Sequence, residues 1–339
     1  MSRVGLIPEV RGNNLGYLRY SPACIERYKV MSSMYPNIAI SNRIYPEHLT
    51  EKFCDIYKDM YEQRKAQPKG SAENAMLKLA LNGTYGKSND KYSVFYDPKF
   101  TMSITVNGQL SLCLLVDKLL QIEGLKVVQA NTDGVTVACL RSKEEEYAEV
   151  CKQWEQQVKL NLEFADYTKM FIQNVNAYIA VGTNGKVKRK GAYQYEDLGW
   201  HQNQSALVIP KAAEAYMVHG TPLESFVMNH KDEFDFMLRT KVPRSSKLVL
   251  VKADGAEIQQ QNICRYYPST DPENSGKLVK LMPALAHGSD DCSKSYDPAD
   301  RRLSIDKEWN VKICNDMKNF SWDLDYNYYI AEAKKLCIE

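Results

Sequence analysis

Three features of the 339-residue sequence predict an α+β fold: an alternating apolar hairpin over residues 127–140, two amphipathic helices within residues 50–86, and a second β pair over residues 171–195. In the stretch VVQANTDGVTVACL, β-branched and apolar runs flank Asn131-Thr132-Asp133-Gly134. Asp-Gly between alternating runs signals a tight hairpin, because glycine accepts the positive φ that such turns use. Asp133, the only carboxylate of the stretch, is thereby expected at the hairpin tip. Alone, such a turn is usually solvated surface, so it gains meaning only from its surroundings.

The length allows one large or two to three small substructures, at roughly 100–200 residues per domain. Charge is nearly balanced, with 44 basic and 42 acidic residues and a net charge of +2, so an affinity for nucleic acid has to come from local clusters. No apolar run reaches the roughly 18 residues of a membrane helix, and no signal-peptide layout opens the chain, so a cytoplasmic protein without a membrane partner is expected. The nine cysteines are scattered and never form a C-x-x-C pair, and the five histidines lack metal-ligand spacing. They read as reduced packing residues and as histidines without an assigned role. Most of the 22 tyrosines are expected in cores, though aromatic rings also stack on bases.

Residues 1–31 carry scattered Gly, Pro and Arg without a period, and read either as a strand or two or as a poorly ordered lead-in. Over residues 50–66, Phe53, Ile56, Tyr57, Met60 and Tyr61 recur at helical spacing, with Thr50 available as a cap. Pro68-Lys69-Gly70 turns the chain and Ser71 caps a second helix, antiparallel to the first. On that helix Lys78, Asn82 and Tyr85 share one face, a cation, an amide and an aromatic ring that suit a triphosphate and a base better than a core. The bland alternative is an amphipathic helix with a snorkelling lysine. Residues 107–123 read as a buried apolar helix, and residues 144–160 as an amphipathic one.

The second β pair, residues 171–181 and 186–195, is turned by Gly182-Thr183-Asn184-Gly185. Alternation puts Lys186, Lys188 and Lys190 on one face of its second strand, with Arg189 between them. Such a stripe grips a phosphate backbone without reading sequence, or guards a solvated edge strand. Residues 204–238 read as helical, with a break at Gly220-Thr221-Pro222. A basic segment, residues 239–247, then precedes a strand at 248–251 and an Asp254-Gly255 turn. Residues 271–300 read as an exposed loop and residues 326–337 as a last helix.

Lys78-x-x-x-Asn82-Gly83-x-Tyr85-Gly86, followed by a hairpin carrying Asn131-Thr132-Asp133-Gly134, resembles motifs B and C of family B DNA polymerases, especially the short bacteriophage enzymes. Ser33-Met34-Tyr35-Pro36 is similar to their motif A, Asp-x-x-Ser-(Leu/Met)-Tyr-Pro. The metal-binding aspartate of that motif falls on position 30, which here is Val, while Glu26 is the nearest upstream acid. The resemblance covers roughly residues 32–339 and implies a right-hand architecture with an antiparallel palm sheet, helical-hairpin fingers and a mixed thumb. Palm would span 32–49 and 87–200, fingers 50–86, and thumb and tail 201–339. No spaced acids of a 3′→5′ exonuclease precede residue 32, which implies the polymerase half of a split or truncated enzyme, with a separate N-terminal exonuclease half as a partner.

The resemblance implies template-directed addition of deoxynucleotides (dNTPs) to a primer 3′ end on primer–template DNA, with two Mg²⁺ ions. Asp133 would bind metal. Lys78 and Arg64 would neutralise the triphosphate, with backbone donors at Ser33 and Met34. Asn82, Tyr85 and Gly86 would shape the pocket of the nascent pair, and Tyr35 would lie under the sugar and disfavour a 2′-hydroxyl. Tyr178 fits a primer-holding tyrosine whose companion lysine is Asn176 here, and Lys186, Lys188, Arg189, Lys190, Arg244 and Lys247 would contact DNA. Two-metal phosphoryl transfer needs carboxylates from two strands, so Val30 predicts weak or absent activity, and a catalytically dead DNA-binding fragment is the alternative. A reverse transcriptase or RNA polymerase palm fits less well, because those carry adjacent acids at the hairpin and Asp133-Gly134 does not.

Overall fold

The computed structural model describes residues 16–19, 24–196, 198–199, 204–282, 302–306 and 309–338, with side chains from residue 31 onward. Most of the expected N-terminal lead-in, and residues 283–300 of the expected loop, lie outside them. Two compact units emerge, one built from Leu18–Met170 and Ala180–Lys188, the other from Phe171–Ile179 and Arg189–Glu339.

In the first unit the chain order is β1 (Gly16–Arg19), β2 (Cys24–Met31), α1 (Met34–Ser41), α2 (Lys52–Ala66), α3 (Ala72–Lys87), α4 (Pro98–Leu119), β3 (Lys126–Ala130), β4 (Gly134–Leu140), α5 (Glu144–Val158) and β5 (Leu162–Asn174). With β6 (Ala177–Gly182) and β7 (Val187–Lys190) the strands form one sheet in the order β3-β4-β2-β5-β6-β7, with β1 paired to β5 off that path. β2 is central and antiparallel to both neighbours, so Val30 stands opposite Gly134 on one side and Glu163 on the other. The core beneath joins Ile38, Leu81, Ile104, Leu115, Leu119 and Trp154, all fully buried.

The hairpin of β3 and β4 forms as expected, closed by the Asn131 N–H donating to the Gly134 carbonyl at 2.9 Å. Gly134, however, does not take positive φ; it is the first, buried residue of β4, and the turn is made by Thr132 and Asp133. Ser71 caps α3 as predicted, its Oγ accepting from Asn74 N at 3.1 Å. Thr50 does not cap α2: it takes φ +60° two residues before the helix, and Glu51 holds the cap position. α4 starts well before the expected residue 107, because Asp97 accepts from Phe100 N and Pro98 fits the first turn, where no N–H is needed. Its burial is one-sided, with Met102, Val106 and Leu110 exposed. The missing side chain of Gly108 matters on the buried face, where a Cβ would stand 3.2 Å from Ile38 Cδ1 and 3.3 Å from Met34 Sδ. The close helix contact thus fixes α1. The expected single strand over 171–181 is two strands, β5 ending at Asn174 and β6 starting at Ala177.

In the second unit α6 (Val208–His219) and α7 (Leu223–Asn229) precede β8 (Leu238–Lys241), β9 (Lys247–Val251), β10 (Glu257–Gln260), β11 (Ile263–Pro268), β12 (Lys277–Leu281), β13 (Arg302–Ser304), β14 (Val311–Ile313) and α8 (Tyr326–Leu336). Two antiparallel sheets result, β10-β9-β12-β13 and β14-β11-β8, so β12 crosses part of the stretch expected as an exposed loop. The core is aromatic. Phe236, Tyr267 and Tyr329 are fully buried, and the Tyr329 hydroxyl donates to the Phe236 carbonyl at 2.7 Å. Among the described residues, no helix is long and apolar enough to cross a membrane.

Candidate functional site

A cleft of about 740 Å³ opens in the first unit and is lined by residues from five elements and their turns. The start of α1 contributes Ser33, Met34 and Tyr35, α2 gives Arg64, and α3 gives Asn74, Lys78 and Asn82; the hairpin brings Thr132 and Asp133, and β5 brings Glu163. Asp133 and Lys78, 55 positions apart in the chain, therefore face the same space.

Local structure sets each side chain. Ser33 holds the left-handed conformation (φ 45°, ψ 52°) at the N-cap of α1, where its side chain makes no capping hydrogen bond. Such a backbone costs a non-glycine residue on the order of 1–2 kcal/mol. The Ser33 hydroxyl instead accepts from the Arg64 guanidinium at 3.0 Å, tying α2 to the mouth of α1. With Pro36 as the third residue of α1 and no side-chain cap, the Met34 and Tyr35 amides begin a helix whose partial positive charge suits an anion. Asn37, buried, donates to the Ser32 carbonyl at 2.7 Å and to the Tyr61 hydroxyl at 3.2 Å, which locks this turn.

Tyr35 stacks on Tyr85, with ring centroids 4.0 Å apart and planes 10° from parallel, and the Tyr85 hydroxyl bonds Thr105 Oγ1 at 2.9 Å. Burial, then Tyr85, then Asp133 push the Tyr35 phenol above its ordinary pKa, so it stays a neutral donor. Lys78 and Asn82 are exposed on α3, and a Cβ at Gly86 would meet open space. Arg64, Lys69 and Lys78 line the cleft together with Asp133 and Glu163, an arrangement that receives a polyanion beside a carboxylate.

Glu163, Asn74 and Lys69 are among the lining residues not singled out from the sequence. Glu163 accepts from Ser32 Oγ at 3.0 Å and stands 3.8 Å from Lys69, whose side chain is 90% exposed, a contact worth little in water. Asn74 donates to the carbonyls of Arg64 and Gln67 at 3.1 and 3.2 Å, satisfying the end of α2. Lys69 carried only a turn signal, Asn74 carried none, and Glu163 is placed by register alone.

The two-ion metal centre does not fit the donor set. Among the described residues no group of three or more His, Cys, Asp or Glu could hold a metal. Val30 stands between Gly134 and Glu163, whose backbones lie two strand spacings, roughly 9–10 Å, apart, and its side chain carries no oxygen. Glu26 is no substitute, since it pairs with Ala138 and Tyr167, roughly 13 Å down β2 from Val30.

The other basic and aromatic residues singled out from the sequence lie outside this cleft. Lys186 and Lys190 are exposed at the two ends of the last hairpin strand and Lys188 is half-buried, while Arg244 and Lys247 are exposed around the turn into β9. Arg189 differs from the surface stripe expected of it. Its guanidinium holds the buried Glu214 from two nitrogens, reaches Glu196 at 2.7 Å and lies 4.6 Å over the Tyr195 ring. Tyr178 is 5% exposed, so its ring is packed inside rather than presented.

No family model and no curated protein matches the chain. Among solved structures it has a distant similarity to the family B DNA polymerase of the hyperthermophilic archaeon Pyrobaculum calidifontis, at a TM-score of 0.48 and 14% identity. The alignment covers 94% of this chain and 45% of that one, so the chain spans less than half the length of that polymerase.

Proposed function

We propose that the cleft of the first unit is a nucleotide site of the family B DNA polymerase type, which receives a deoxynucleoside triphosphate against primer–template DNA. One observation carries the reading: the motif-like residues Arg64, Lys78, Asn82, Tyr35 and Asp133, scattered along the chain, line a single cleft. Arg64 and Lys78, with the backbone amides of Ser33, the cap residue of α1, and Met34, its first residue, neutralise the triphosphate. Asn82, Tyr85 and the open side of Gly86 shape the base pocket, and the Tyr35 ring, braced by Tyr85, excludes a 2′-hydroxyl from the sugar position. Asp133 is the carboxylate nearest the reacting end. Lys186, Lys188, Lys190, Arg244 and Lys247 take the phosphate backbone of DNA, whereas Arg189 and Tyr178 support packing.

Because the donor set lacks a second bridging carboxylate, this chain binds nucleotide and DNA better than it transfers. Val30 favours the second reading, a catalytically dead DNA-binding fragment or subunit. Equilibrium binding of a labelled dNTP to the protein with primer–template, and primer extension in Mg²⁺, test both. Wild type is expected to bind dNTP with little extension, Lys78→Ala to bind at least about tenfold more weakly, and Val30→Asp to gain extension. Absence of dNTP binding, or binding indifferent to Lys78→Ala, rejects the nucleotide site. Retained DNA binding with no extension by either protein selects the dead-fragment reading.

A further inference from the structure

We infer that the turn joining α3 to α4, residues 87–97, is a stacking platform for an unpaired nucleic-acid strand, an inference that rests on the proposed nucleotide site. Tyr92 is 86% exposed, Val94 75% and Tyr96 43%. Rings left this open gain little from folding, since apolar burial contributes only in proportion to the area removed from water. Yet the turn that presents them is held by many bonds. Asp90 accepts from Lys87 Nζ at 2.9 Å and from Tyr92 N at 3.1 Å, Ser93 N donates to the Asp90 carbonyl at 2.8 Å, and Phe95 N donates to Ser93 Oγ at 3.1 Å. Asp97 N donates to the Ser88 carbonyl at 2.8 Å, and His48 Nε2 meets the Val94 carbonyl at 2.8 Å. Two phenol rings are thus held outward on a pre-ordered support.

The charges around the rings favour a polyanion. Lys91 Nζ lies 4.9 Å from the Tyr92 centroid, and Lys91 makes no ion pair among the described residues. The neighbouring carboxylates are engaged: Asp90 with Lys87, Asp97 with the amides of Glu47 and Phe100, and Glu47 with Lys99 at 2.5 Å. A strand laid on this turn therefore meets the Lys91 ammonium beside the Tyr92 π-face, next to carboxylates that already have partners. Every base has a face that stacks on tyrosine, so this recognition is indifferent to sequence and selects unpaired over paired bases. The platform follows directly from α3, the helix that carries Lys78 and Asn82.

Fluorescence anisotropy of the full chain separates the possibilities, using a labelled primer–template with a 5′ unpaired template strand and the same duplex made blunt. Wild type is expected to prefer the overhang. Tyr92→Ala combined with Tyr96→Ala should weaken overhang binding at least about fivefold and leave blunt binding unchanged, while Tyr92→Phe retains the preference. Equal overhang affinity in wild type and double variant overturns the platform alone; no binding of either duplex by wild type overturns the nucleotide-site reading with it. Should the double variant instead lose only self-association of the protein, the rings serve a protein contact and the inference fails. Because the rings are exposed, an unchanged thermal midpoint verifies that the variants fold.

Discussion

Ser33 combines a strained backbone with a contact made outside its own helix. Its left-handed φ is unfavourable, and its hydroxyl serves Arg64 rather than capping α1. Ser33→Ala should keep the strain and remove the acceptor, weakening triphosphate binding several-fold while changing stability by less than about 1 kcal/mol. Ser33→Gly should lose the same affinity yet be at least as stable as wild type, since glycine adopts this conformation freely. Nucleotide titration and urea unfolding of the two variants check the pair, and a destabilised Ser33→Gly would contradict the strain argument. At this scale Lys78, Asn82 and Asp133 stand out in the sequence by residue type and helical or hairpin spacing, and Arg64 only through the family resemblance; all four line the cleft. Glu163 does not stand out, because it reaches the cleft through strand register, which local spacing does not encode. Alternation marks a strand's faces without saying which basic residue meets a buried acid, so it does not set Arg189, which holds Glu214, apart from its lysine neighbours.

The helical hairpin depends on its connecting turn. Ser71 Oγ caps α3, while Asn74 one turn later closes the end of α2, so two side chains satisfy both helix termini. The Tyr57 hydroxyl then joins the two helices through the Leu81 carbonyl at 2.5 Å. Ser71→Ala should cost about 1 kcal/mol and Asn74→Ala about 1–3 kcal/mol of first-unit stability, read as a lower urea midpoint. Losses that simply add would show the two caps to be independent, whereas a double variant no worse than Asn74→Ala would show that they act as one. The Ser71 cap and both helices were legible from the sequence. The start of α4 carried its signal in Asp97-Pro98, but the apolar run beginning later drew the boundary away. The strand β12 was hidden inside a stretch rich in turn residues, because its Lys277-Leu278-Val279-Lys280-Leu281 is short and partly charged.

At the scale of the whole molecule, each unit has its own core, and the second also holds a partly buried polar network. Lys312 bonds Asp323 at 2.9 Å and Asp271 at 3.2 Å, with Ser321 and Tyr267 completing the cluster. Burial alone would raise the Asp323 carboxyl, but hydrogen bonds from Ser321, Lys312, Ser269 and Tyr267 outweigh it and hold it down at about 2. A carboxyl whose folded pKa lies below its unfolded value of about 3.9 stabilises the fold above that pH and loses its contribution as the pH falls toward 2. The second unit should therefore lose on the order of 2 kcal/mol between pH 5 and pH 2, and Asp323→Asn should flatten that slope in urea titrations at stepped pH. An unaltered slope would assign the acid sensitivity elsewhere. The α+β class was legible from the sequence, but the strand order was not, since period and turn chemistry say nothing about distant partners. β2 is the clearest case, for its residues 24–30 pair with residues 134–140 and residues 26–31 with residues 162–167. On a ribosome, the emerging strand has to wait with both edges unsatisfied until those later segments clear the exit tunnel, so the carboxylate-bearing hairpin and its scaffold are completed together, only after residue 167 has emerged.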